Sequence, residues 1–427
     1  MRFAEALADL ESRQPERMVP DLSRITGIVE LLDDPQLTYP TIHVTGTNGK
    51  TTTARLIVSL ACAHGVTAGL YTSPHLLSVT ERIAVCGEPI SEEEFAETYE
   101  YLMPSLRLID DRGEQVTYFE TLTALAFLWF ADKPVSLGVF EVGMGGTWDA
   151  TNLVAGDVAV LCPIALDHPE LGSTVTEVAT EKAGIVKPGK IVVCREQPPE
   201  AFAVVRDRCE EYEARLLVEG RDFALLERRQ AVGGQQLSVQ GLQAEYDELV
   251  LPLFGEHAAR NAIAAIVALE AFLERPLSED LTRAALAAAS SPGRLEVVGR
   301  HPLLVLDGAH NPAGAQALAA ALQEAFTWER LHLVIAVSAN KDVGGIVAAL
   351  APIADRAYAT RNTSARSGGA EPLRGVLHEA GVATEVFGSV AGAIEEAKAS
   401  AAPADLILVT GSLYTVADAR RTLLEEP

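Results

Sequence analysis

Residues Thr41 to Ala54 read T-I-H-V-T-G-T-N-G-K-T-T-T-A, and this stretch decides the fold. Its β-branched start predicts a strand, its two glycines predict a tight turn, and the apolar spacing that follows predicts a helix. Gly46 and Gly49 allow backbone N–H groups to point at one spot, where the helix N-terminus adds positive potential. Lys50 brings a charge for phosphate oxygens, and Thr51 brings a hydroxyl for Mg²⁺. The stretch therefore predicts a phosphate loop that binds a nucleoside triphosphate.

The loop is a shortened variant of the general phosphate-loop pattern. That pattern has a glycine at the position that Val44 occupies in this chain. An ordinary glycine-rich turn before a helix is the alternative interpretation. The Lys50-Thr51 pair at the helix start favours the phosphate loop.

The composition is that of a globular chain with an acidic surface. The 427 residues are 48% hydrophobic and 22% charged, with a formal net charge of −25. This length suggests two or three domains, and the charge argues against non-specific binding to nucleic acid or anionic membranes. The N-terminus has acidic residues where a signal peptide needs an apolar core, and no apolar run approaches the ~18 residues of a membrane span. We therefore expect a cytoplasmic protein without nucleic-acid or membrane partners, and a monomer by default.

The cysteines predict no disulfide framework. They are odd in number, scattered and without a C-x-x-C pair, so buried reduced thiols are the favoured interpretation. They are Cys62, Cys86, Cys162, Cys194 and Cys209.

Strand and helix patterns alternate along most of the chain, which predicts an α/β protein with mainly parallel sheets. Residues 1–292 are predicted to form a phosphate-loop ATPase domain, with a small antiparallel β insertion near 218–252. After a linker at Ser290–Gly293 the alternation restarts, and residues 293–427 are predicted to form a smaller, Rossmann-like C-terminal domain. Within the first domain we expect a polar loop over Thr72–Glu88 and one helix over Glu200–Leu216.

Polar residues follow two predicted strands of the first domain. Glu141 ends the strand Val135–Glu141, so it faces the crevice where α/β proteins bind ligands and is placed to hold Mg²⁺. A carboxylate that caps the next turn is the alternative. His168 comes shortly after the strand Val158–Pro163 and should lie near the same edge, although a structural or solvated histidine fits the spacing equally well.

Lys182 and Ser73 each have several interpretations. Lys182 is a solvated helix lysine, a cation that neutralises phosphate, or a lysine carbamylated by CO₂, which requires a neutral amine. Spacing alone does not favour carbamylation. The Ser73 hydroxyl would complete a metal shell, but serine before proline is more often part of a turn.

Three residues of the second half are further candidates: Asn261 in the first turns of a helix, Arg294 at the linker and Asp307 at a strand end. Asp307 suits ribose hydroxyls, and Arg294 can swing onto phosphates as two domains close. A helix cap, a linker salt bridge and a turn are the respective alternatives.

The ordered set of motifs resembles the folylpolyglutamate synthase/dihydrofolate synthase family, a branch of the Mur-type amide-bond ligases. The resemblance runs from about Leu22 to the final Gly411-S-L-Y-T-V and covers nearly the whole chain. The motifs are His43-V-T-G-T-N-G-K-T-T, Tyr71-T-S-P-H-L, Glu141-V-G-M-G-G-T-W-D-A-T-N, Asp167-H, Glu181-K-A-G-I-V-K-P-G, Gly255-E-H-x-x-x-N, Pro292-G-R-L-E and Asp307-G-A-H-N-P.

The resemblance implies an ATP-dependent ligase that adds L-glutamate to a folate, and also to dihydropteroate. In this family the acceptor carboxylate is activated as an acyl phosphate, the glutamate amine attacks it, and ADP and phosphate leave. The implied catalytic residues are Lys50, Glu141, His168, Lys182 and His310. The implied nucleotide-binding residues are Thr47, Asn48, Gly49, Lys50, Thr51, Thr52, Asn261, Arg294 and Asp307.

The resemblance further implies two Mg²⁺ ions, with Lys182 carbamylated. One ion is expected at Thr51, Ser73 and Glu141, and the other near Glu141, His168 and Lys182. The implied acceptor-binding residues are Asp149 and Ala150.

The chain departs from the family pattern at three places. After the phosphate-loop lysine the family often has Gly-Ser, whereas this chain has Thr51-Thr52, which keeps a hydroxyl ligand. After His168 the family usually continues Thr-x-x-Leu-Gly, and here the shorter Pro169-Glu-Leu-Gly172 alters the surroundings of the second ion. Relatives with both activities often have a long residue such as arginine before the aspartate motif, and this chain has Thr147-Trp148. Asp149 itself matches a residue tied to dihydropteroate binding, which favours dual activity.

Two other functions compete with this interpretation. A Mur-type ligase acting on a cell-wall precursor is disfavoured by the Tyr71-T-S-P-H and Asp149-A-T-N motifs, which are features of the folate branch. A phosphate-loop ATPase without a second substrate is disfavoured by Asp307-G-A-H-N-P and Pro292-G-R. An assay with both folate acceptors separates the three functions.

Overall fold

The structure, a computed structural model, describes residues 1–14, 20–113 and 115–424 and contains three β-sheets. The strands of the first sheet are β1 (Thr41–Thr45), β2 (Ala68–Tyr71), β3 (Ile83–Val85), β4 (Glu88–Pro89), β5 (Leu137–Glu141), β6 (Val158–Leu161), β7 (Ile191–Cys194) and β8 (Arg215–Val218). The helices up to this point are α1 (Phe3–Ser12), α2 (Ser23–Leu31), α3 (Lys50–Ala63), α4 (Glu92–Asp110), α5 (Tyr118–Asp132), α6 (Val175–Lys182) and α7 (Pro199–Glu211). Short 3₁₀ helices span Pro35–Leu37, Val79–Arg82, Ala150–Leu153, Pro169–Leu171, Ala183–Ile185 and, later, Ala351–Ile353.

The first sheet has the strand order β4-β3-β2-β5-β1-β6-β7-β8, and β2, β5, β1, β6, β7 and β8 run parallel. Both faces of its central strands are buried, because Val44 and Val139 pack on the side of α3 while Phe140 packs against Phe127 of α5. A sheet covered on both faces needs such continuous apolar strands. The phosphate loop therefore leaves the middle of the sheet at its carboxyl edge.

A second, antiparallel sheet confirms the β structure expected over 218–252. Its strands are β9 (Ala224–Ala231), β10 (Gly234–Gln240) and β11 (Glu245–Leu251). Helices α8 (Glu256–Leu273) and α9 (Glu279–Ala287) follow, and α8 packs against α3 in the main core. Elements α1 to α9 and these two sheets are called the first lobe below.

The second lobe comprises the third sheet and its helices. Its strands are β12 (Glu296–Arg300), β13 (Leu303–Leu306), β14 (Leu331–Ile335), β15 (Arg356–Ala359), β16 (Ala383–Val386) and β17 (Leu406–Thr410), and its helices are α10 (Pro312–Ala325), α11 (Val343–Leu350), α12 (Ala370–Glu379), α13 (Val390–Ser400) and α14 (Leu413–Leu424). The order is β12-β13-β17-β14-β15-β16, all parallel except the edge strand β12. The α/β class and the mainly parallel sheets are confirmed, and the division at 292/293 stays a prediction.

Two local predictions are wrong. The expected loop Thr72–Glu88 contains β3 and the first residue of β4, because Ile83–Val85 pairs antiparallel with β2 and then with β4. The expected helix Glu200–Leu216 ends at Glu211, and β8 pairs with β7 after a turn in which Glu213 has a φ of +50°. In both places tertiary strand pairing overrides a weak local pattern.

The cysteine prediction is wrong for one pair. Cys62, at the end of α3, and Cys86, in the β3–β4 turn, form a disulfide with a Cα–Cα distance of 5.7 Å. The antiparallel return of β3 along β2 brings these two residues together, and their separation in the sequence gives no sign of it. The other three cysteines are free and buried, as expected: Cys162, Cys194 and Cys209.

Among residues 1–14, 20–113 and 115–424, no helix combines the length and the apolar character that a bilayer span requires.

Candidate active site

The phosphate loop joins the central strand β1 to α3. Gly49 precedes α3 with a φ of +91°, and a Cβ at Gly46 would lie 2.6 Å from the Cβ of Cys162, so both positions favour glycine. The Thr47 hydroxyl donates to the carbonyl of Ala165 over 2.8 Å and accepts from its N–H over 2.9 Å. The loop is therefore fixed to the chain that follows β6, and the α3 N-terminus opens at the carboxyl edge of the sheet.

Two lysines donate to one backbone carbonyl of this loop. Lys50 Nζ lies 3.0 Å and Lys182 Nζ lies 2.9 Å from the Gly46 oxygen. Burial, and then the charge of Lys50, lower the pKa of Lys182 to about 7. Both amines border a small cavity whose lining includes Gly46, Lys50, Gly143, Asp167, His168 and Lys182. An anionic group that enters the cavity meets both amines.

Glu141 lies beside the start of α3, as its position at the end of β5 predicted. Its carboxylate accepts from the Thr51 hydroxyl over 2.8 Å and from the Ser73 N–H over 3.3 Å. Burial raises the pKa of Glu141, although the charge of Lys50, the two hydrogen bonds and the charge of Arg294 oppose the rise. The predicted first metal-ligand set is therefore brought together.

The donor set at Glu141 fits a magnesium ion. Two oxygens bound cis to one Mg²⁺ at ~2.1 Å each lie about 3 Å apart, close to the 2.8 Å between Thr51 Oγ1 and Glu141 Oε1. Nowhere in the described part of the chain do three or more His, Cys, Asp or Glu side chains lie close enough together to hold a metal ion. A cation here would thus depend on hydroxyl oxygens and on the substrate itself.

Asp167 gathers three basic side chains from both lobes. Its carboxylate lies 2.6 Å from Lys341 Nζ, 3.2 Å from His168 Nε2 and 3.5 Å from His310 Nε2. Burial alone would raise the pKa of Asp167, but the hydrogen bond and charge of His310, with His168 and Lys341, hold it well below its usual range. Burial, and then Lys341 and Lys50, lower the pKa of His168 to about 4 against the charge of Asp167. His168 is therefore a neutral imidazole at pH 7, able to bind a metal or a proton.

A second contact joins the lobes at the phosphate loop. Asn48 Nδ2 donates to Asn311 Oδ1 over 3.1 Å, and Asn311 Nδ2 donates back to Asn48 Oδ1 over 3.0 Å. Near the linker, the Thr52 hydroxyl lies 3.0 Å from that of Ser291. Neutral hydrogen bonds thus join the phosphate loop to the second lobe and the first turn of α3 to the linker.

The three candidates of the second half lie at the same edge. Asn261 of α8 packs against Gly49, where an added Cβ would lie 2.7 Å from Oδ1. Arg294 lies near enough to Glu141 for its charge to act on that carboxyl group. Asp307 is buried, and its carboxylate accepts from the N–H groups of Leu295 (2.9 Å) and Ala309 (2.8 Å). Asp307 thus braces its own loop in this structure.

Asp149 and Ala150 are buried beside the glycine loop that follows β5. Asp149 accepts from Met144 N over 2.9 Å and from Thr151 N over 3.0 Å, and burial raises its pKa against these bonds. In this arrangement the carboxylate orders the loop around it. The predicted role of both residues in acceptor binding stays a prediction.

Sequence reasoning did not nominate Lys341, Asn311 or Arg195. Asn311 stands inside the quoted Asp307-G-A-H-N-P motif, so the motif was the available signal. Lys341 follows β14 and Arg195 follows β7, both at carboxyl ends of parallel strands, and that position was the only local sign of either residue.

Two family descriptions match this chain. Residues 44–269 match the Mur ligase middle domain, and residues 293–413 match the Mur ligase, glutamate ligase domain. The two matches together span the phosphate loop, the linker end and the second lobe up to the start of α14.

Individual relatives are similar over nearly the whole length. A dihydrofolate synthase/folylpolyglutamate synthase from Mycobacterium tuberculosis is 44% identical over 384 residues, which cover 85% of this chain and 79% of the relative. A structure of Mycobacterium tuberculosis folylpolyglutamate synthase complexed with ADP superposes with a TM-score of 0.96 and 39% identity, over 100% of this chain and 99% of that one. Escherichia coli FolC in complex with DHPP and ADP gives a TM-score of 0.89 and 31% identity, over 100% and 98% of the two chains.

Proposed function

The chain belongs to the folylpolyglutamate synthase/dihydrofolate synthase family of ATP-dependent Mur ligases, and from this premise we propose that it joins L-glutamate to a folate and to dihydropteroate. The observation that supports this most is a convergence at one sheet edge. Lys50, Glu141 and Lys182 come from the first lobe, and His310 and Lys341 come from the second. Cations and a carboxylate that meet between two lobes suit a reaction that couples phosphoryl transfer to amide formation.

The reaction has two covalent steps. An oxygen of the acceptor carboxylate attacks the γ-phosphorus of ATP, the bond to the β,γ-bridging oxygen breaks, and ADP leaves. The neutral amine of glutamate then attacks the acyl carbon, the bond from carbon to the phosphate oxygen breaks, and inorganic phosphate leaves. The amine proton passes to a local base or to the departing phosphate.

Lys50 and the α3 N-terminus hold the triphosphate in this proposal. The first step brings two anions together, so positive groups must offset their repulsion. Lys50 Nζ is within 3.3 Å of two loop carbonyls, those of Gly46 and Thr47. A mobile ammonium held only by carbonyls can move onto phosphate oxygens at low cost. Asn261, Arg294 and Asp307 complete the nucleotide site from α8, the linker and the second lobe.

Two Mg²⁺ ions belong to the proposal. Thr51, Ser73 and Glu141 would hold one, and Glu141, His168 and carbamylated Lys182 would border the other. When bound, magnesium supplies Lewis-acid neutralisation of phosphate charge. The Thr51–Glu141 oxygen spacing of 2.8 Å supports the first site.

Carbamylation of Lys182 is supported by its environment. Addition of CO₂ requires a neutral amine, and the pKa of this buried lysine is lowered to about 7 by burial and then by Lys50. The product replaces a cation with an anionic oxygen ligand. Lys182→Ala should lose activity and regain part of it with an added short carboxylate. An unmodified amine in a high-resolution map would contradict the proposal.

Closure of the lobes protects the acyl phosphate, which water would hydrolyse. The Asn48–Asn311 amide pair and the Asp167–Lys341 ion pair, at 2.6 Å, are contacts that hold the closed form. His310 then lies beside Asp167, where we place the reacting centre or the incoming glutamate. We further propose that the enzyme acts as a monomer in the cytoplasm, where ATP and folates are available.

One assay tests the proposal. Purified protein is incubated with ATP, Mg²⁺ and labelled glutamate, and either dihydropteroate or tetrahydrofolate. Label is expected in both products, with ADP released in equal amount. Incorporation with one acceptor alone would restrict the activity, and incorporation with neither would rule the proposal out. Glutamate-dependent ADP release with a sugar-nucleotide substrate would instead indicate a cell-wall ligase.

A further inference from the structure

A buried arginine outside the predicted site connects the phosphate loop to a buried acid. Arg195 directly follows β7, and its side chain is 4% exposed. Its Nε donates to Glu219 Oε2 over 2.8 Å, and its Nη1 donates to Asn261 Oδ1 over 2.7 Å. The guanidinium group is therefore held on one side by a carboxylate and on the other by the amide that packs against Gly49.

The contact with Arg195 fixes which way the Asn261 amide faces. A guanidinium group has only donors, so the group that it meets must be the amide oxygen. The NH₂ end of Asn261 must then point elsewhere. Across residues 1–14, 20–113 and 115–424, Asn261 Nδ2 finds no protein acceptor, although the residue is only 3% exposed.

The Nδ2 atom is not fully enclosed by protein, so water reaches it in the free protein and a ligand acceptor can take the place of that water. The amide lies against the phosphate loop, with its oxygen and nitrogen 2.7 Å and 3.2 Å from the place of a Gly49 Cβ. A nucleotide offers only acceptors along its phosphates and several on its base. An amide rotated by half a turn would present its oxygen to these atoms and would repel them.

We propose that Arg195 is a positioning residue for the nucleotide, which orients the Asn261 amide so that its NH₂ group donates to ATP. This inference rests on the proposed function in one respect, the contact between Asn261 and ATP. Glu219 has a supporting role, since its carboxylate holds the guanidinium group at a fixed angle through Nε. Arg195 itself touches no reacting atom.

A neighbouring arginine provides a matched control. Arg260 also contacts Glu219, over 3.3 Å, and it pairs with Glu196 (2.6 Å) and Glu256 (2.7 Å). It has no hydrogen bond to Asn261. Substitution of Arg260 therefore disturbs the same ion-pair cluster and leaves the amide oriented.

The experiment measures ADP binding by calorimetry on the full chain. Arg195→Met is expected to raise the Kd of ADP roughly ten-fold, the size of one lost oriented hydrogen bond, whereas Arg260→Met leaves it within about two-fold. Arg195→Lys, which is also a pure donor, should recover part of the loss. In turnover, Arg195→Met should raise the KM for ATP and leave kcat nearly unchanged.

A double-mutant cycle separates positioning from general damage. In an Asn261→Ala background, Arg195→Met should change the Kd by less than about two-fold, because the residue acts only through the amide. A full additional loss in that background, or an equal loss for Arg260→Met, would overturn the inference. If wild-type protein bound no ADP, the proposed function would fail as well, so the wild-type arm separates the two failures.

We expect the variants to fold, because Glu219 keeps other hydrogen-bond and ion-pair partners. After Arg195→Met, Glu219 still accepts from Glu196 N over 2.8 Å and still meets Arg260. Should that variant be unstable, Asn261→Asp keeps Arg195 paired with a carboxylate and replaces the NH₂ donor with negative charge. Asn261→Asp is expected to weaken ADP binding more than Asn261→Ala does, and an equal or smaller effect would contradict the inference.

Discussion

The described part of the chain contains two aspartate–histidine clusters, at opposite edges of its sheets. Asp167 meets His310 at 3.5 Å and Lys341 at 2.6 Å, where β6 and β13 have ended. Asp405 meets His332 at 3.1 Å and Arg330 at 3.0 Å, where β14 and β17 begin. The pairs have the same chemistry, but one lies at carboxyl ends and the other at amino ends of parallel strands.

Their partners differ in a way that assigns a role to each cluster. All partners of the Asp405 cluster belong to the second lobe. The other ring nitrogen of His332, Nδ1, lies 2.9 Å from the Tyr358 hydroxyl of the same lobe. The side chains of Asp405 and His332 are 0% and 3% exposed, whereas His168 and His310 of the Asp167 cluster are 31% and 26% exposed and border the cleft. We therefore expect the Asp167 pair, which joins the two lobes at the predicted ligand edge, to serve function, and the Asp405 pair, whose partners all belong to one lobe, to serve stability.

The largest expected loss of activity comes from substitutions at the carboxyl edge of the first sheet. Lys50→Ala or Glu141→Ala should lower kcat by about 1,000-fold or more, because each removes charge that stabilises phosphoryl transfer. Neither should unfold the chain. Steady-state ADP release and a thermal melt measure the two quantities, and a near-normal rate for either variant would remove the basis for a catalytic edge.

Asp167→Asn tests the cluster that joins the lobes. The variant loses the charge that holds Lys341 and His310, and we expect activity to fall roughly 10- to 100-fold, as when outer-shell partners of a site are removed. The melting temperature should change little. Loss of folding with retained specific activity would place this cluster in the same class as the Asp405 network.

Asp405→Asn is the matched substitution at the amino edge. It leaves His332 and Arg330 without their buried anion, and should cost about 1–3 kcal/mol of unfolding free energy. Glutamate incorporation per folded molecule should stay normal. Urea denaturation measures the unfolding free energy, and the two-acceptor assay measures the activity per folded molecule. A loss of activity without a loss of stability would contradict a structural role for Asp405.

The smallest effect is a difference in pH dependence. Hydrogen bonds from Ala402, His332 and Arg330 lower the pKa of Asp405 against burial, so its stabilisation is present above the ordinary value of 3.8 and is lost as the pH falls through the folded pKa. Burial raises the pKa of Glu141 above 4.5, so its charged form destabilises the ligand-free protein at neutral pH and this penalty disappears in acid.

Melting curves at about pH 7 and about pH 4 measure this difference. Glu141→Gln should raise the melting temperature at the higher pH and lose that advantage at the lower one. Asp405→Asn should lower the melting temperature at both values, because both lie above 3.8 and the folded pKa of Asp405 is lower still. Shifts of the same sign for both variants would contradict the assignment of opposite roles.

Local patterns predicted the elements that carry the site. The predicted strands Val135–Glu141 and Val158–Pro163 correspond to β5 (Leu137–Glu141) and β6 (Val158–Leu161), because continuous apolar runs are a strong local signal. Lys50 and Thr51 were predicted from the phosphate-loop motif and Glu141 from its strand end, and the structure brings Thr51 and Glu141 within 2.8 Å at the carboxyl edge of the sheet. Local patterns did not predict long-range pairing, so the strand β8 and the Cys62–Cys86 disulfide were both missed.

Residues that act across the fold left no local signal. Lys341 becomes notable only when the second lobe brings it to Asp167, 174 positions away in the sequence. Arg195 reaches Asn261 across 66 positions. Such contacts depend on the packing of complete lobes, and motif spacing carries no information about them.

The amide pair at the phosphate loop has a chemical consequence for the lifetime of the protein. Asn48 precedes Gly49, and in an Asn–Gly peptide the next backbone nitrogen readily attacks the side-chain carbonyl, which releases ammonia and leaves a succinimide that opens to aspartate or isoaspartate. Asn311 holds that side chain while the lobes touch. We expect ageing samples to deamidate at Asn48 and to lose ATP turnover in proportion, more slowly with nucleotide bound. Peptide mass spectrometry of stored protein would show an unmodified Asn48 if the amide pair alone were protective.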